Sequence, residues 1–247
     1  MMKINSLNME QLARFFDHSL LRPDCVNEEF DQLVDQVIKY GFRSAAVNSS
    51  RVTYVLEELR KRGSDIPVGS SAGFPFGQAS IISKVAEARQ ALKEGASEID
   101  YMINVGRLLD GNHAYVLDEM RQMTKCCHDQ GAICKVIFEN SYLEPKHIKA
   151  ACKIALETDI DFLKTTTGFG PGGATVHDVK LMREVVGDKK KLKPAGAMRT
   201  VANVAAMLEI EGVERIGSAF SHVIMEEFRS FKDKGIEISV QAEGVKP

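Results

Sequence analysis

The 247 residues suffice for one large domain or two small ones, and roughly 250 is the usual size of a single (β/α)8 barrel. Lysine and arginine total 32 against 34 acidic residues, a net charge of −2 that gives no electrostatic reason to expect nucleic acid or an acidic membrane as partner. The start, Met1-Met2-Lys3-Ile4-Asn5-Ser6, lacks the apolar region of a secretory signal, and no apolar run approaches the ~18 residues of a membrane span, so a cytoplasmic protein is expected. Five cysteines without a framework spacing fit a compartment where thiols stay reduced, and Cys126-Cys127-His128 reads as packing rather than as a metal site.

Short apolar strands alternate with amphipathic helices from end to end. The first predicted strand covers residues 16–20. Phe30, Leu33, Val34, Val37 and Ile38 then follow the helical i, i+3, i+4 pattern up to Gly41. A second strand is expected over 44–48 and a third, after Gly63, over 66–71. The same device recurs with Gly95 before a strand at 98–103, Gly131 before 133–138, and Gly212 before 214–217; glycine just past a helix accepts the left-handed conformation that ends it. Two further strands, at 160–165 and 191–195, bring the expected number to eight. That count, with no linker and no Gly-x-Gly-x-x-Gly after the first strand, predicts an α/β protein in which residues 1–247 form a single (β/α)8 TIM barrel with a short N-terminal helical extension, in preference to an open doubly wound sheet.

In such a barrel the C-terminal strand ends converge on one mouth, where Asp17, Asn48, Asp100, Lys135, Lys164 and Lys193 would meet. Charged residues in apolar strands are rarely buried unless paired, so an ion-pair network across the barrel is one reading. A functional reading attaches to Lys164, followed by Thr165-Thr166-Thr167-Gly168, and to Lys193, one strand along. A desolvated lysine beside a second cation is nucleophilic at neutral pH, and Asp100 would offset part of the buried positive charge. His18 reads as a structural histidine, 188–191 as a solvated loop, and Gly73-Phe74-Pro75-Phe76-Gly77 as a rigid turn near the mouth.

Seven stretches in order carry a resemblance: residues 17–24 (Asp-His-Ser-Leu-Leu-Arg-Pro-Asp), 73–77, 98–104, 135–139, 161–168, 172–175 and 193–200. The chain resembles the 2-deoxyribose-5-phosphate aldolase family over nearly its whole length. The resemblance implies a (β/α)8 class I carbon–carbon lyase that joins acetaldehyde to glyceraldehyde 3-phosphate, and cleaves deoxyribose 5-phosphate in reverse, without metal or organic cofactor. It implies that Lys164 forms the Schiff base, that Lys193 perturbs the Lys164 pKa, and that Asp100 works with Lys193 and a water in proton transfer. Asp17, Ser19, Asn48, Lys135, Thr167, Gly168, Gly196, Ala197, Arg199 and Ser218 become the expected substrate-binding residues, and a homo-oligomer, dimer or tetramer, in deoxyribonucleotide or carbohydrate catabolism is implied.

Departures from the family pattern cluster at the phosphate end. Pro194-Ala195-Gly196-Ala197 stands where the family has Pro-Ala-Gly-Gly, and Ala219-Phe220 aligns with a pair of serines. Asn48-Ser49-Ser50 replaces a common Asn-Pro, and Gly244-Val245-Lys246-Pro247 lacks the terminal tyrosine of some members. The lost hydroxyls open an alternative, the same chemistry on a different, unphosphorylated substrate. A non-catalytic sugar-phosphate-binding barrel is the rival from another class.

Overall fold

The computed structural model describes residues 3–239; Gly244-Val245-Lys246-Pro247 lies outside them. Eight parallel strands alternate with helices: β1 (Phe16–Leu20), β2 (Ser44–Val47), β3 (Val68–Ala72), β4 (Glu98–Met102), β5 (Ile133–Ile137), β6 (Phe162–Lys164), β7 (Lys191–Lys193) and β8 (Ile216–Ser218). Each strand from β1 to β6 pairs with the next, and β8 pairs with β1. The remaining seam, between β7 and β8, is closed by bridges at Leu192/Val213 and Ala195/Gly217, with Gly217 N donating to the Pro194 carbonyl at 2.9 Å. The expected barrel is present, and a 3-10 turn at Ile4–Ser6 with helix α1 (Met9–Ala13) forms the N-terminal extension.

Strand limits move where chemistry dictates. Residue 66 was an expected strand start, but Pro67 has no N–H to give a ladder and β3 begins at Val68. Pro194 likewise ends β7 at Lys193, two residues short of expectation. Between the strands run α2 (Asn27–Tyr40), α3 (Val52–Lys61), α4 (Ile81–Lys93), α5 (Val105–Leu109), α6 (His113–His128), α7 (Pro145–Leu156), α8 (Val176–Val186), α9 (Val201–Leu208) and α10 (Ser221–Asp233). All five glycines read as helix stops have positive φ. At Gly41 (φ 66°) the turn lets Phe42 N donate to the Val37 carbonyl at 3.1 Å, which ends α2 and aims the chain into β2. Phe30, Leu33, Val34 and Val37 bury one face of α2, each contributing about 1.5–3 kcal/mol.

Lys190, expected in a solvated loop, instead donates from Nζ to the carbonyls of Thr158 (2.6 Å) and Ile160 (3.0 Å). Cys126 and Cys127 are buried, as packing predicts, while His128 is exposed and places Nε2 2.9 Å from Asp161. No helix among the described residues is long and apolar enough to cross a membrane.

Candidate active site

Side chains alternate faces along a strand, so Glu98 and Asp100 both point into the barrel from β4, and register then decides their neighbours. Asp100 is level with Lys135 on β5, and Lys164 on β6 with Lys193 on β7. The result is a buried ionic cluster. Asp100 Oδ2 lies 2.7 Å from the Nζ atoms of both Lys164 and Lys193, while Asp100 Oδ1 lies 3.1 Å from Lys135. Lys193 and Lys135 also pair with Asp17, Lys135 pairs with Glu98, and Arg215 clamps Asp17 and Glu98 from below. Gly217 makes room for this packing, since a Cβ there would sit 3.2 Å from Lys193 Cε.

Four cations thus face three carboxylates, an excess of one positive charge in a dry interior. Burial, with the charges of Lys135 and Lys164, brings the Lys193 ammonium down to about 8 against the opposing pull of Asp100 and Asp17. Burial opposes ionisation of Asp100, yet Lys135, Lys164 and Lys193 hold it well below the usual carboxylate range. Lys135 moves the other way: burial alone would lower it, but Asp100, Asp17 and Glu98 raise it. Loss of one proton from Lys193 therefore neutralises the cluster. The expected ion-pair network and the expected nucleophile occupy the same place.

Above the cluster opens a cleft of about 610 Å³. Asp17, Asp100, Lys164 and Lys193 form its floor, and Ser19, Thr167, Gly168, Gly196, Ala197, Arg199 and Ser218 line it. Lys135 and Asn48 do not. Lys135 is held beneath by its three carboxylates, and the Asn48 amide donates to the Leu21 carbonyl at 3.0 Å, bracing the β1 loop. Phe74, in the rigid turn, roofs the floor with its ring centroid 5.9 Å from Lys164 Nζ. Phe169 packs edge-on against it at 5.5 Å.

The three threonines divide. Thr165 and Thr166 hydroxyls donate to the Ala195 carbonyl at 3.0 and 2.6 Å, tying β6 to the end of β7. Of the three, only Thr167 reaches the cleft. His18 is structural as expected: Nε2 lies 2.7 Å from Gln36 Oε1 and Nδ1 3.3 Å from the Ser218 carbonyl. Burial takes it down to about 4, so it stays neutral.

At the far end of the cleft, Ala197 adopts φ 57°, a left-handed conformation unusual for a residue with a Cβ. Ser218 Oγ donates to the Met198 carbonyl (2.6 Å) and accepts from Phe220 N (2.9 Å), and Ser221 Oγ donates to the Ser218 carbonyl (3.0 Å), so these hydroxyls are engaged locally. Phe220 stands 42% exposed at the rim, and the Arg199 guanidinium lies 5.2 Å from its ring centroid. Among the described residues Arg199 has no carboxylate partner.

Glu98 and Arg215 were missed by the sequence reading. Their signal was the two-residue strand period: Glu98 precedes Asp100 by two, and Arg215 precedes Gly217 by two.

Comparison with known proteins agrees with this geometry. Residues 9–210 match the DeoC/LacD family aldolase. A deoxyribose-phosphate aldolase of Thermococcus gammatolerans is 43% identical over 219 residues, covering 89% of this chain and 97% of that protein. One from Lactobacillus acidophilus is 43% identical over 209 residues, covering 85% and 87%. The solved structure of a tetrameric deoxyribose phosphate aldolase from Aeropyrum pernix superimposes with a TM-score of 0.84 at 26% identity, covering 92% of this chain and 95% of that one. With the match running through β1 to α9 and the lysine pair on adjacent strands, the chain belongs to the DeoC/LacD aldolase family.

Proposed function

We propose that this chain is a class I aldolase that reversibly cleaves 2-deoxyribose 5-phosphate to acetaldehyde and glyceraldehyde 3-phosphate, with Lys164 as nucleophile and Lys193 and Asp100 as its proton-handling partners. The observation that carries the reading is one carboxylate oxygen shared at 2.7 Å by two buried amines beneath an open cleft. The neutral Lys164 amine attacks the acetaldehyde carbonyl, a C–N bond forms, and the carbonyl oxygen takes a proton to give a carbinolamine. Loss of water gives the imine. Removal of a proton from the adjacent methyl yields an enamine whose carbon attacks the acceptor aldehyde, and hydrolysis then returns the amine. Each addition, the loss of water and the final hydrolysis all require protons to be moved at the reacting atoms, which Lys164, Lys193 and Asp100 supply between them.

Borohydride reduction in the presence of acetaldehyde tests it: an ethyl group should appear on Lys164. A Lys164→Ala protein that still releases acetaldehyde from deoxyribose 5-phosphate at the parent rate would end this reading. At the far end of the cleft, Gly196, Ala197, Arg199 and Ser218 are the proposed phosphate contacts.

Phe220 favours a second reading, in which the same chemistry serves an unphosphorylated aldehyde adduct. Hydrogen bonds to charged groups contribute roughly 1.5–3 kcal/mol each, so two missing hydroxyls weigh against a phosphate. Parallel rates on deoxyribose and its 5-phosphate separate the two. We also propose a homo-oligomer, in line with the tetrameric relative; a monomeric mass by light scattering would refute it.

A further inference from the structure

Glu139 lies two residues past the end of β5, buried to 1% exposure, with a left-handed backbone (φ 55°) that its side chain must tolerate. No cation pairs with it among the described residues. Its carboxylate is instead held by neutral donors, Thr167 in the loop that follows the nucleophile and Ser141 in the turn that follows Glu139 itself. Oε2 accepts from Thr167 N at 2.9 Å and from the Thr167 hydroxyl in a short hydrogen bond, and Oε1 accepts from the Ser141 hydroxyl at 2.8 Å. The loop is packed down onto it: a Cβ on Gly170 would come within 3.0 Å of the Glu139 carboxylate.

This fixes the polarity of Thr167. A hydroxyl has one hydrogen and two lone pairs. The Thr167 hydrogen is directed at Glu139, and one lone pair receives Phe169 N at 3.0 Å. What remains for the cleft is a single acceptor. Any substrate atom placed against Thr167 Oγ1 must therefore bring a hydrogen. A carbonyl, ether or phosphate oxygen there would meet an unmatched lone pair.

We infer that Glu139 is a positioning residue that holds the Thr167 hydroxyl as a pure acceptor, and that this selects an acceptor aldehyde carrying a free hydroxyl. The inference rests on the aldolase reading above, in which the acceptor is glyceraldehyde 3-phosphate, with one free hydroxyl. A site built to receive a hydroxyl rejects the analogue lacking it more strongly than an apolar site rejects an added group.

The experiment compares kcat/KM for glyceraldehyde 3-phosphate with that for 3-oxopropyl phosphate, its analogue without the hydroxyl, acetaldehyde being the donor. The proteins are the parent, Glu139→Ala, Glu139→Gln, Thr167→Val and the Glu139→Ala/Thr167→Val double variant. Borohydride trapping of acetaldehyde on Lys164, which needs no acceptor, is followed in each as a check on fold and nucleophile. The parent should prefer the hydroxylated acceptor by about tenfold or more, and Glu139→Ala and Thr167→Val should each lose about that factor. The double variant should lose no more than Thr167→Val alone. Glu139→Gln should keep the preference, because its amide oxygen can receive both Thr167 donors while its NH2 turns to Ser141.

A Glu139→Ala protein that traps normally and keeps the preference overturns the inference, as does a Thr167→Val protein that keeps it. Loss of the preference in Glu139→Gln to the extent seen in Thr167→Val also overturns it, and decides the matter should Glu139→Ala fail to fold. Absence of trapping in the parent protein would instead refute the aldolase reading on which the inference stands.

Discussion

At the floor of the cleft every charged group belongs to a strand or its immediate flank and pairs with an opposite charge, whereas Gly196, Ala197, Arg199, Ala219 and Phe220 at the rim lie in loops, and Arg199 has the ring of Phe220 beside it. Strand register leaves the floor little freedom: shifting β6 by one residue would turn Lys164 out of the barrel altogether. Loops carry no such constraint, so the rim can change its contacts without disturbing the chemistry below. Of the chain's departures from the family pattern, Ala197, Ala219 and Phe220 lie at the rim, and none falls on Asp100, Lys164 or Lys193.

The sharpest way to break this division is at the floor. Lys164→Ala should lower turnover at least about a thousandfold, measured as acetaldehyde release, since it removes the attacking atom itself. A rim substitution with an effect of that size would mean that the two regions are not separable.

Asp100→Asn comes next. Removing one partner of a buried charge cluster costs about 3–5 kcal/mol, which denaturant unfolding would register. The pH response carries more information. Burial brings the Lys193 ammonium down to about 8, and only a neutral Lys193 can take up the proton that imine formation on its neighbour releases, so trapping in the parent should rise with pH through that region and level off above it. Asp100 is the leading charge that raises Lys193. Without it the ammonium is less favoured, and the midpoint should move below 8. An upward shift in the pH profile of trapping would contradict the charge balance described here.

At the rim the expected effects are smaller. Changing Ala219 and Phe220 together to serine should alter KM for deoxyribose 5-phosphate by about tenfold and leave trapping on Lys164 within twofold, because only the phosphate end is touched. A fall in KM would show that the parent rim is poorly made for phosphate and favour the unphosphorylated substrate. A rise would show that Phe220 and the Arg199 guanidinium beside it already serve the phosphate.

The floor was legible in the sequence because a lysine or aspartate inside a short apolar strand has few places to go. Asp100, Lys164 and Lys193 stand out for that reason, as do the glycines that end the helices. Depth was not legible. Lys135 looks like Lys164 along the chain, and only the stagger between strands sets one under three carboxylates and the other at the open cleft. The Thr165 and Thr166 hydroxyls find Ala195 about thirty residues away, a pairing that needs the lateral register of β6 and β7. Glu139 carries no local mark at all, since its role depends on a loop from the next βα unit folding back onto it.

The smallest effect is expected at Ala197, where two consequences of one methyl can be told apart. A residue with a Cβ in the left-handed region gives up about 1–2 kcal/mol, and glycine recovers that while adding about 0.5–1 kcal/mol of entropy to the unfolded chain. Ala197→Gly should therefore gain roughly 0.5 kcal/mol, a rise in Tm of about 1–2 °C by calorimetry. The methyl also occupies space, for it lines the cleft and lies where a Cβ on Gly173 would come within 2.4 Å of it. If it stands between the backbone and the phosphate, KM for deoxyribose 5-phosphate should fall with kcat nearly unchanged, and KM for free deoxyribose should not move. A higher Tm with both KM values unchanged would assign Ala197 to backbone strain alone and leave Phe220 as the rim residue that sets the substrate.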